Sequence, residues 1–123
     1  MRINSFEHGC EIMGYDPTKV PIVDHLPEAH QKAQVASYKL FVISEASWKG
    51  EGKVIDWNNR SQYKWEPWFW MNKPGFRLFV SYYAFTNSFT TGGSRLCYPS
   101  EEDSDFHGET HLELYRDLMV KEA

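Results

Sequence analysis

At 123 residues the chain has room for one domain with a real core and too little for two. Its apolar runs fall far short of the roughly 20 residues that a membrane-crossing helix needs, so a soluble chain with no membrane partner is expected. The net charge of −4 is unevenly spread: residues 53–99 carry six Lys/Arg against two Asp/Glu, net +4, whereas residues 100–123 carry two against eight, net −6.

The first residues, Met1-Arg2-Ile3-Asn4-Ser5, show neither the apolar stretch nor the small-residue cleavage site of a secretory signal. A reducing cytoplasm is the expected location, with Cys10 and Cys97 as buried thiols. Ser5 to Gly14 reads as a short helix, with Ser5 as N-cap, Gly14 ending it in a left-handed conformation, and Phe6, Cys10 and Met13 on one face. Asp16-Pro17-Thr18 is a turn, and Val20-Pro21-Ile22-Val23 an extended link held out of the helical region by proline.

Pro27 opens a long helix that reaches about Trp48, because proline suits a first helical turn and Glu28 complements the dipole. Ala29, Ala33, Ala36, Leu40, Ile43 and Ser47 recur at intervals of three and four and predict its core stripe, widened by Val35, Phe41 and Val42. Gly50 and Gly52 stop it. Asp56-Trp57-Asn58-Asn59-Arg60-Ser61 then reads as a turn in which Asp and Asn side chains bond their own backbone.

Four of the five tryptophans fall within residues 57–70, in a segment expected to be a short strand or irregular aromatic stretch ending at Met71. Asn72-Lys73-Pro74-Gly75 is a turn signal. Phe76 to Phe85 is the clearest strand, with Phe76, Leu78, Val80 and Tyr82 expected on one face and Arg77, Phe79, Ser81 and Tyr83 on the other. Thr86 to Ser88 or Thr91 to Gly93 turns the chain, and Ser94 to Tyr98 returns as the partner strand, giving a small twisted antiparallel sheet.

Ser100 is placed to cap a last helix running to about Val120, with Glu101, Glu102 and Asp103 at the positive end of its dipole. His111, Leu112, Leu114, Tyr115, Leu118 and Met119 form its apolar stripe, and Gly108 marks either a weak point or close packing. The fold class expected is a single α+β domain spanning 1–123. A long central helix and an acidic C-terminal helix pack on a small aromatic-rich antiparallel sheet.

Chemical motifs are sparse. His107 and His111 stand one helical turn apart, but Glu109 does not directly follow the first histidine as the zinc-protease pattern demands, and no third ligand accompanies them. His25, His30, Asp24 and Glu28 lack a spacing specific to acid–base work. Thr90 to Arg95 has neither the spacing nor the lysine of a phosphate loop. No metal, cofactor or enzymatic activity is expected.

The basic aromatic stretch carries more. Lys53, Arg60, Lys64, Lys73 and Arg77 interleave with Trp57, Tyr63, Trp65, Trp68 and Trp70, the mixture that single-stranded nucleic-acid binders use, although a domain of this size also needs such rings for its core. Trp57, Arg60, Lys64, Trp65 and Trp68 are therefore candidate contacts for a partner. Glu101, Glu102, Asp103 and Asp105 form a candidate acidic surface able to enter a basic channel.

Ser5-Phe6-Glu7 with Cys10, Leu26-Pro27-Glu28 with His30 and Lys32-Ala33, Tyr38-Lys39-Leu40 and Asp56-Trp57-Asn58-Asn59 belong to a wider pattern. Pro67-Trp68-Phe69, Gly93-Ser94-Arg95-Leu96-Cys97, Ser100-Glu101-Glu102 and Leu114-Tyr115-Arg116-Asp117 continue it. With these residues the chain resembles, over nearly its whole length, a family of small proteins encoded by phages and prophages of Bacteroidetes bacteria. The resemblance brings no catalytic residues, and Asp103-Ser104-Asp105-Phe106-His107 is more acidic than the family pattern. It implies a phage-derived, non-enzymatic binding protein inside a host bacterial cell. An inhibitor of a host defence complex of the anti-CRISPR type is the expectation, acting on an effector with its guide RNA. The alternative is an accessory protein that binds single-stranded nucleic acid through 53–77.

Overall fold

The computed structural model of the chain describes residues 1–72, 75–86 and 94–121. Helix α1 spans Phe6–Met13, with the Ser5 hydroxyl accepting from the His8 N–H at 3.0 Å and Gly14 at φ 76° closing its end. Helix α2 spans Glu28–Gly50 and begins just after Pro27, whose fixed φ suits a helix entry. At its other end Gly52, at φ 68°, donates to the Lys49 carbonyl while Lys53 donates to that of Trp48. This is the paired bonding of a Schellman stop, and it assigns the left-handed position to Gly52 rather than Gly50.

The hairpin consists of strands β1, Lys64–Trp70, and β2, Arg77–Ala84, paired antiparallel from Lys64↔Ala84 to Trp70↔Arg77. Lys73 and Pro74 of the expected connecting turn lie outside the described residues, as does the expected turn at 87–93. Trp68 faces Val80 but Phe69 faces Leu78, so Phe79 is an extra residue that bulges from the ladder. The simple alternation expected for β2 also fails beyond the bulge: Ser81 and Ala84 are buried, whereas the adjacent Tyr82 and Tyr83 are both exposed.

Residues 94–98 also differ from the expected strand. Ser94–Leu96 is a single 3-10 turn, and only Tyr98 reaches β1, exchanging both backbone bonds with Trp65 at 2.7 and 3.0 Å. The reason lies two residues along β1. Backbone groups of alternate residues point to the same strand edge, so the position that would next donate toward this segment is Pro67, which has no N–H.

Helix α3, Glu101–Thr110, is capped by the Ser100 hydroxyl accepting from the Asp103 N–H at 3.0 Å. The single last helix expected from the sequence is interrupted at His111, after which α4 runs from Leu112 to Met119. α3 lies against the hairpin and α4 against α2. A side chain at Gly108 would put its Cβ 2.9 Å from Leu78 Cδ1 and 3.0 Å from Pro67 Cβ, so this glycine serves close packing. The molecule is therefore α+β, with α2 as its central element. Ile43 and Ala46 pack with Ile3 and Tyr98, Leu40 with Phe76, Leu96 and Tyr115, and Val42 with Phe6 and Cys10. Ala29, expected in the same stripe, is exposed. Among the described residues no helix is long and apolar enough to cross a membrane.

Candidate functional site

The aromatic richness of residues 57–85 cannot all be absorbed by a two-stranded sheet covered in part by one short helix. Phe69 and Phe76 turn inward, stacked at 5.0 Å, with Tyr115 packed on Phe69. Tyr63, Trp70, Phe79, Tyr82 and Tyr83 stay between 44% and 49% exposed. They are organised rather than scattered. Trp65 and Tyr83 are direct cross-strand partners 5.1 Å apart, Tyr63 stacks on Tyr83 at 4.7 Å, and Phe85 meets Tyr63 edge-on at 4.9 Å. Toward the other end Trp70 and Phe79 lie 4.6 Å apart, and the Arg77 guanidinium sits 5.5 Å from the Trp70 ring. On the other face of the ladder from Trp65 and Tyr83, Tyr82 meets Trp68 edge-on at 5.3 Å. The Trp68 Nε1–H is buried with no acceptor, an uncommon state for an indole donor.

The structure distributes the sequence-derived candidates over this surface and the core. Arg60 is exposed, and Trp57, Trp65 and Trp68 are half-buried. Lys64 corrects the expectation of a surface cation. It is fully buried, its Nζ donating to the carbonyls of Asp56 at 2.6 Å and Asn59 at 3.2 Å and lying 5.1 Å from the Trp57 ring. Its charge is spent on holding the 56–62 turn, where Asp56 and Asn59 side chains accept from the N–H groups of Asn58 and Ser61.

Asp103 is the second correction. It is buried, with Oδ2 2.6 Å from the Met1 ammonium, which also meets Glu51 Oε1 at 2.6 Å. Asp105 is half-buried and bound to the sheet: Ser81 Oγ lies 2.6 Å from Asp105 Oδ1 and 2.8 Å from Ser104 Oγ. A hydroxyl has one proton, so Ser81 donates to the carboxylate and accepts from Ser104. Glu101 and Glu102 remain exposed. The acidic surface is thus narrower than the charge run implies.

The two histidines of α3 and its end are structural. His107 Nε2 accepts from the Ile3 N–H at 2.8 Å, and His111 Nε2 donates to the Ile3 carbonyl at 2.8 Å. Tyr98 stacks on His107 at 4.4 Å with the rings nearly parallel. Burial pushes the His107 pKa down to about 4 and lowers that of His111 as well. The thiols of Cys10 and Cys97 are buried and shifted upward by burial, Cys97 to about 12, away from the reactive thiolate range.

Tyr82, Tyr83 and Phe79 are the surface rings that pattern reading missed as contacts. The available signal was the pair of adjacent tyrosines, which no regular alternation can bury together. No protein-family model, curated protein or solved structure matches the chain.

Proposed function

We propose that the chain is a non-enzymatic binding protein that holds a macromolecular partner against the aromatic surface of its β1–β2 hairpin. The observation that carries this reading is the set of exposed rings on the hairpin: Tyr63 stacked on Tyr83, Trp70 packed against Phe79, and Tyr82 against Trp68. Large apolar patches held in water are costly unless they are covered, and tyrosine and tryptophan supply wide contact area at small entropic cost. The Trp68 Nε1–H, buried without an acceptor, supports it as a donor with no partner inside the molecule.

The partner class we assign is a host-defence nucleoprotein, a CRISPR effector with its guide RNA, which the protein inhibits. Support comes from the resemblance of the sequence to phage proteins. The two chemistries of the surface add to it: Arg60 and Arg77 beside the rings suit RNA phosphates, and exposed Glu101 and Glu102 suit a basic protein channel. Tagged protein expressed in a Bacteroidetes host with an active CRISPR system should retain an effector stoichiometrically, with interference suppressed. A Tyr63→Ala/Tyr83→Ala/Trp70→Ala variant that keeps its melting temperature should lose at least tenfold in retention. Normal interference in cells expressing the wild type would defeat the inhibitor reading.

Arg77 on Trp70 beside Phe79 favours a second reading, binding of single-stranded nucleic acid by stacking and charge. It requires nucleic acid alone in the eluate and a gel shift that weakens with salt.

A further inference from the structure

We propose a separate ligand site, independent of the hairpin surface, in the cleft between the C-terminal half of α2 and the loop at 52–57. It takes a small amphipathic anion: an apolar chain or ring bearing one carboxylate or phosphate head. The cleft has a volume of about 660 Å³, within the range of small-molecule sites. Phe41, Trp48, Val54, Ile55 and Trp57 supply an apolar lining.

The cleft is built, not merely left over. Val54, 82% exposed, would ordinarily fold down onto apolar neighbours. The loop that carries it is instead braced from behind. Gln62 donates to the Val54 carbonyl at 2.8 Å and accepts from the Asp56 N–H at 2.8 Å, while Lys64 Nζ holds the Asp56 carbonyl at 2.6 Å. Sequestering a lysine charge inside a small domain is expensive, and here its product is a fixed loop that keeps an apolar wall open.

Charge selects the head group. Lys49, Lys53 and Arg95 line the cleft against a single carboxylate, Glu45, whose Oε1 already accepts from the Tyr15 hydroxyl at 2.7 Å. None of the three cations has an ion pair among the described residues. The Arg95 guanidinium lies 4.7 Å from the Phe41 ring centre, and a guanidinium held at a ring retains N–H donors suited to a bidentate anion. An apolar floor with cations at its margin that have no ion pair among the described residues fits a molecule with one end of each kind.

Decanoate, decyl phosphate and decanol, titrated below their micelle concentrations, test the site by amide chemical-shift mapping and calorimetry on the whole chain. One-site binding of either anion at least tenfold tighter than decanol is expected, with shifts centred on residues 48–57 and Arg95. The tighter anion identifies the head group. Lys53→Glu/Arg95→Glu, both exposed positions, should erase the preference for the anions while leaving decanol binding and the melting temperature unchanged. Tyr83→Ala should leave all three ligands unaffected, which separates this site from the hairpin. Equal binding of decanol and the anions, shifts confined to other residues, or an unchanged preference in the charge-reversed variant would overturn the proposal.

Discussion

Because the Ile3 N–H only donates and the Asp103 carbonyl only accepts, His107 is held as one neutral tautomer, with its proton on Nδ1, 2.6 Å from that carbonyl. Its folded pKa of about 4 lies below the ordinary 6.5, so between these values the unfolded chain binds the proton first. Stability contributed by neutral His107 is complete above pH 6.5 and is lost as pH falls toward 4. Acidification from pH 7 to pH 5 should therefore cost about 2 kcal/mol from this residue, and His111 adds in the same direction. Urea unfolding at the two pH values checks it; a His107→Gln variant should show a shallower pH dependence. The residue identities at 107 and 111 are visible in the sequence as a helical pair. That they grip the backbone of residue 3 is not, since no local pattern links positions more than one hundred residues apart. Lys64 and Asp103 teach the same lesson from the other side. Each is a charged residue that reads as surface, and each is buried because partners meet it: the carbonyls of the folded-back 56–62 turn for Lys64, the Met1 ammonium for Asp103.

Among the elements, the helices were the most legible. Ser5, Gly14 and Ser100 cap where their local chemistry places them, since an N-cap bond spans only three residues. The sheet was less so. Its correct partner strands are 64–70 and 77–84, and a bulge at Phe79 interrupts their ladder. Pairing is a choice between segments, and Pro67 decides against a full third strand only once Tyr98 has reached that edge. Gly108 shows packing prevailing over propensity. Alanine at an exposed helix position gains about 1 kcal/mol over glycine. Here a Cβ would press on Pro67 and Leu78, and overpacking of this kind costs about 1–3 kcal/mol. Gly108→Ala should accordingly destabilise by about 1 kcal/mol net in denaturant unfolding. A stabilised variant would mean that the α3–hairpin contact yields freely.

The whole molecule is tied together by its first residues. Ile3 is fully buried between α2 and Tyr98, with its backbone held by His107 and His111, and the Met1 ammonium bridges Glu51 and Asp103. Three residues outside any helix or strand thereby join the end of α2 to α3. Ile3→Ala should cost about 2–4 kcal/mol, well above Ile12→Ala at a half-buried position; thermal unfolding of both variants makes the comparison. The α+β class, the order of the helices, their caps, the buried thiols and the surplus of aromatic rings all follow from composition and from bonds spanning a few residues, and the sequence alone determined them. The strand partners, the bulge, the burial of Lys64 and Asp103, the open cleft beside Arg95 and the choice of which rings face water were decided by the tertiary structure. Each depends on which backbone group or side chain arrives as a neighbour, and burial of a charge or exposure of a ring is a property of that neighbourhood rather than of the residue.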